Sequence, residues 1–111
     1  MEDVRNVAPI QQAPSMRFAV AARCVADEAR RMGLVVPAFK SPPRVDKADR
    51  TVRRAGRDVV VAVRVKGRPF AAVMADLVEG VVVANEFSGV EASRVRSLMW
   101  DALAGSDAMA A

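Results

Sequence analysis

The chain has no histidine, no tyrosine and a single cysteine, and aromatic residues make up only 5% of it. Without histidine the commonest general acid or base is missing, and a serine or cysteine triad of the usual kind cannot be assembled. A lysine-assisted nucleophile would have only Lys40, Lys47 and Lys66 to draw on. The lone thiol, Cys24, rules out an internal disulfide and fits a reducing, cytoplasmic setting. Residues 1–15 carry neither a basic start nor an apolar run, so no signal peptide is read there. Apolar runs such as residues 59–63 and 80–84 fall far short of the ~20 residues that a membrane helix needs. Neither a P-loop nor a G-x-G-x-x-G fingerprint occurs. These shortages point away from an enzyme and a membrane protein, and no cofactor, metal or small-molecule substrate is expected.

The 111 residues that remain to be explained suit one domain, and 52% of them are hydrophobic. A chain of this size buries roughly 60–70% of its unfolded surface, so it needs no metal or disulfide staple. With aromatics scarce, the core must be filled by Val, Ala, Leu and Met. The net charge is +4, from 17 basic and 13 acidic residues, and 14 of the basic residues are arginine. An Arg, Ala and Val bias accompanies GC-rich genomes, so the position of the arginines says more than their number. Residues 40–68 hold ten basic side chains against three acids, Asp46, Asp49 and Asp58. That stretch is therefore strongly positive and the remainder of the chain is net acidic.

Periodicity sorts the chain into elements. Residues 1–14, with Pro9, Pro14, Gln11 and Gln12, read as a flexible tail. Ser15 suits the N-cap of a helix to about Met32, with Gly33 as its left-handed end and an apolar stripe of Phe18, Ala22, Val25, Ala29 and Met32. Arg23, Asp27 and Arg31 lie four apart on another face and are expected to pair. Pro37, Pro42 and Pro43 then impose an extended arm over residues 34–48, either docked through Val35, Val36 and Phe39 or a loose connector. Residues 58–66 give the clearest strand signal, and residues 50–55 pair with them across Gly56 and Arg57 in an antiparallel hairpin. This register sets Val52 beside Val61 and Arg54 beside Val59.

Pro69 opens the next segment, where Phe70, Val73, Met74, Leu77, Val78, Val81 and Val82 follow a helical stripe that Asn85 can end. A second hairpin, residues 70–76 with 81–87, is the competing assignment, since Gly80 weakens a helix and three valines follow it. Ser88 and Glu91 form a capping box for a last helix, its apolar face Val95, Leu98, Met99, Ala102 and Leu103 and its stop Gly105. Residues 106–111 read as a flexible tail. The expected fold is thus α+β: one domain over residues 15–105 with an N-terminal helix, an extended Pro-containing arm, an antiparallel β-hairpin and two C-terminal helices.

The basic face of the hairpin is the sharpest functional feature. Arg53, Arg54, Arg57, Arg64, Lys66 and Arg68 are the candidate nucleic-acid-binding set, with Lys40 and Arg44 as a possible extension along the arm. Arginines on an exposed ribbon contact phosphates, and the missing stacking aromatics favour a duplex backbone over a single strand. The bland alternative is a solvated face in an arginine-rich chain, or arginines neutralised by its own acids. A second candidate is an interface at Met99 and Trp100, with Arg96 one helical turn before the indole and placed to stack on it. A third, weak constellation is Asp76, Glu79 and Glu86 as a Mg²⁺ site, against which stands simple pairing with the basic hairpin. A hairpin strand with one partner leaves an edge that a homodimer could complete into a four-stranded sheet. The expectation is an accessory nucleic-acid-binding protein, with a protein-interaction or homodimerisation module as the alternative.

Overall fold

The apolar stripe that begins at Phe70 is a helix, and the fold is built around it. A computed structural model describes residues 14–41, 50–55 and 58–109. Its elements are α1 (Pro14–Arg31), β1 (Ala38–Lys40), β2 (Arg50–Ala55), β3 (Asp58–Val63), α2 (Phe70–Ala84), α3 (Gly89–Ala104) and a 3₁₀ turn (Asp107–Met109). The fold class is α+β, with three helices and a three-stranded sheet. Helix α2 lies between the sheet and the pair α1 and α3, and buries Val73, Met74, Leu77, Val78, Gly80, Val81, Val82 and Ala84. So wide an apolar surface is what a helix packed on two sides requires. No described helix is long and apolar enough to cross a membrane.

Gly80 explains how α2 reaches the sheet. A methyl group there would stand 3.0 Å from Phe39 Cε1 and 3.1 Å from Val61 Cγ1. The residue costs the helix about 1 kcal/mol in propensity but lets its backbone settle directly on β1 and β3. Beyond Asn85 the helix closes with Phe87 N–H donating to Val82 O and Glu86 N–H to Val83 O, both at 3.1 Å. This paired closure needs a left-handed residue, and Glu86 supplies it at φ 57°. Helix α1 ends the same way through Gly33, the residue expected to do so.

Helix α1 buries Phe18, Ala21, Val25 and Ala29. It begins at Pro14, so Ser15 lies inside the helix and not at the expected N-cap. Asp27 pairs with Arg30 at 2.8 Å and Arg23 at 3.8 Å, while Arg31 turns to Glu28 instead of Asp27. At the start of α3, Ser88 occupies the N-cap position with extended backbone, but its side chain makes no cap hydrogen bond, so the expected box with Glu91 does not form. The chain beyond Gly105 also departs from the frayed end expected of residues 106–111. Its described part turns back in the 3₁₀ segment, Ala108 is fully buried, and Arg17 donates to Ala108 O at 3.0 Å while lying over the Phe70 ring.

The strand order is β1-β3-β2. Strands β2 and β3 pair antiparallel with Val52 opposite Val61 and Arg54 opposite Val59, the register that the alternation predicts. Strand β3 stops at Val63 and not at Lys66, although Val65 remains buried. The extended arm docks: β1 runs parallel to β3, with Phe39 opposite Val61. Asn85 holds its approach, its Oδ1 accepting from Val35 N–H at 2.7 Å and its Nδ2 donating to Val35 O and Val81 O at 3.0 and 2.9 Å. Strand β3 is therefore central, paired on both edges, and the open edge that argued for a dimer-completed sheet is filled by this chain's own β1. The expected turn at Gly56 and Arg57, the residues Pro42, Pro43, Arg44 and Lys47, and the N-terminal tail up to residue 13 lie outside the described residues.

Candidate nucleic-acid interface

Alternation along the strands gives the sheet two unlike faces. The helix-facing side carries Val59, Val61 and Val63, all buried, with Phe39 and Val52 packed against them. The registers place Ala38 and Lys40 of β1 beside Val60 and Ala62 of β3, and Arg53 of β2 beside Val60. These residues face away from α2, and no described helix covers them. Lys40 and Arg53 are exposed, Val60 and Ala62 partly so, and Arg64, half-buried just past the end of β3, continues the alternation between Val63 and Val65. The open face is thus a shallow floor of small side chains with cations on both outer strands and one exposed acid, Asp58, at the start of β3.

The six candidate cations do not act as one group. Arg53 belongs to the open face, Arg64 borders it, and Lys66 is exposed in the turn that follows. Arg54 lies on the helix-facing side, where it donates to Ala84 O at 3.1 Å and Glu86 Oε2 at 3.2 Å. It caps the carbonyl end of α2, a position that favours positive charge. Arg68 is withdrawn further: its side chain is only 10% exposed, and its Nη1 donates to Asp76 Oδ2 at 2.8 Å and Arg64 O at 3.0 Å. Arg57 lies outside the described residues. Lys40, named only as an extension of the set, becomes a full member because the arm is a strand. The period-two pattern of Ala38, Phe39 and Lys40 was the one trace of this in the sequence.

The same pairs dissolve the acidic constellation. Asp76 is held by Arg68, Glu79 by Arg96 through a bidentate contact at 2.5 and 3.0 Å, and Glu86 by Arg54. The three carboxylates point to three separate arginines, and no group of three or more potential metal ligands occurs among the described residues. Arg96 accordingly turns to Glu79 and not to the Trp100 ring. Of the expected interface pair, Met99 is withdrawn, being fully buried in the core, while Trp100 is half-buried against that core and keeps part of its surface exposed. Cys24 donates through its thiol to Ala102 O at 3.4 Å. Burial pushes that thiol's pKa up, and nearby Glu28 and Asp27 add to the rise against a lowering hydrogen bond from Ser106, so the thiol stays protonated and unreactive at neutral pH.

One further feature lies on the far side of the molecule. Met32, Leu34, Phe87, Glu91, Arg94 and Val95 line an open cleft of about 200 Å³ between the end of α1 and the start of α3. Val90, in the same turn of α3 as Glu91, is 85% exposed. Compared with known proteins, the chain matches no protein-family model, no curated protein and no solved structure.

Proposed function

We propose that the protein is a non-enzymatic accessory factor that binds nucleic acid through phosphate contacts on the open face of its sheet. The observation that carries this reading is the placement of Lys40 and Arg53, from two different strands, on the one sheet face that no described helix covers. Long cationic side chains on a flat face offer charge-assisted hydrogen bonds to phosphate oxygens without a groove-shaped cavity. Lys66 extends the positive field along one end, while Arg54 and Arg68 serve the fold.

The test is binding of the purified protein to random duplex DNA, titrated across salt at fixed pH. Binding should weaken linearly in log K against log salt, because each neutralised phosphate releases counterions. Arg53→Glu combined with Lys40→Glu should abolish it while leaving the thermal transition in place. A failure to bind even at low salt would leave the second reading, a protein-interaction module, which the cleft beside α3 and the exposed Val90 favour. In that case Val90→Asp, and not the charge changes, should remove partner binding.

A further inference from the structure

We infer that the open face takes an intact double helix, held by its phosphates without regard to sequence, in preference to a single strand. This deepens, and rests on, the reading of that face as a nucleic-acid interface. Two observations carry it.

The first is what the face lacks. Sequence-tolerant binding of single strands draws on aromatic side chains that stack the bases, worth roughly 1–3 kcal/mol per base. By register, the described residues of this face are Ala38 and Lys40 of β1, Asp58, Val60 and Ala62 of β3, and Thr51, Arg53 and Ala55 of β2, bordered by Arg64. Its charge is thus two cations against the one exposed carboxylate of Asp58. Phe39, between two of them on β1, turns to the other side against Gly80. Phe18 is buried in the core, and Phe70, Phe87 and Trp100 are packed against it. Splayed bases would find no ring to rest on. Asn and Gln, which pair with adenine edges, are also absent from the described residues of the face, and its small central side chains have no reach into a groove.

The second is the spacing of the cations. Lys40 lies beside Ala62 on one side of β3, and Arg53 lies beside Val60 on the other. Two strand spacings across and two residues along separate their Cα atoms by roughly 12 Å. Successive phosphates of one strand are closer than that, so the two cations are set to contact separate, non-adjacent phosphates. With small side chains between them, Lys40 and Arg53 can each hold a phosphate of a duplex lying flat on the face.

The experiment compares a short duplex, a second duplex of scrambled sequence and each separated strand by fluorescence anisotropy over a range of salt, with polyglutamate as competitor. The inference expects both duplexes to bind alike and at least tenfold tighter than the single strands, with a salt slope of roughly −2 to −4. Lys40→Glu and Arg53→Glu should each weaken duplex binding on their own, and Lys40→Arg and Arg53→Lys should retain it. Single strands binding as tightly as duplex would overturn the inference while leaving the nucleic-acid reading intact. Polyglutamate displacing the duplex at equal charge would overturn it in favour of an acidic protein partner. No binding to any nucleic acid would remove the underlying reading itself.

Discussion

The two faces of the sheet are made from alternate residues of the same strands, yet they are built to opposite ends. On the side toward α2, Val61 and Val63 are fully buried and even a glycine is needed to let the helix come close. On the other side, neighbours one residue away carry positive charge around a half-exposed floor. The arginines divide along the same line. Arg54 and Arg68 lean toward the helical side and are held by carboxylates and carbonyl oxygens, whereas Arg53 stands on the open side in solvent. Within β2, alternation separates the two adjacent arginines: Arg54 is tied to the end of α2 and Arg53 is left on the open side.

The sharpest way to break that comparison is to place one charge at two adjacent positions. Val61→Arg buries an unpaired cation and should cost more than about 4 kcal/mol, enough to unfold a marginal domain. Val60→Arg, on the open face, should change stability by less than about 1 kcal/mol and strengthen duplex binding at low salt. Urea denaturation of the two variants side by side measures the first effect and anisotropy the second.

Next in size is the withdrawn arginine. Asp76→Asn leaves Arg68 nearly buried without its counter-charge, and unfolding free energy should fall by about 2–3 kcal/mol, below the range for a fully dry pair. Asn85→Ala removes three hydrogen bonds that fasten Val35 and the helix end, and should cost about 2 kcal/mol. Hydrogen exchange should show that loss concentrated in β1. The smallest effect runs the other way. Glu86→Gly relieves a left-handed side chain at φ 57° and should stabilise by about 0.5 kcal/mol, since the exposed pair with Arg54 contributes little. A thermal melt of E86G reads it.

What the sequence disclosed follows from the range of each interaction. The hairpin register was legible because valine alternation fixes which residues share a face, and a slip by one would have turned Val61 outward. Helix α2 was legible because seven apolar positions over thirteen residues outweigh one glycine and the β-branched run around Val82. Strand β1 was not, because three residues leave almost no periodicity and their partner lies some twenty positions downstream. For the same reason the fates of Arg54 and Arg68 were hidden: Glu86 and Asp76 look like ordinary surface acids until the helix is docked. Met99 was misjudged although its own stripe, shared with Val95 and Leu103, pointed inward. Adjacent residues on a helix diverge by about 100°, so Trp100 could not share its surroundings. Gly80 in a valine-rich helix was a packing signal read only as a weakness.

The parallel placement of β1 also orders events in time. A β2–β3 hairpin closes locally within microseconds, but β1 has no neighbour to join until β3 exists and α2 has presented Asn85. A three-residue edge strand joined to one neighbour is expected to open locally at a free energy below that of global unfolding, and exchange of the β1 amides would read it. Lys40 travels with it. If β1 opens in this way, any ligand that holds Lys40 in place must also slow exchange of the β1 amides, because binding and strand docking are then thermodynamically linked.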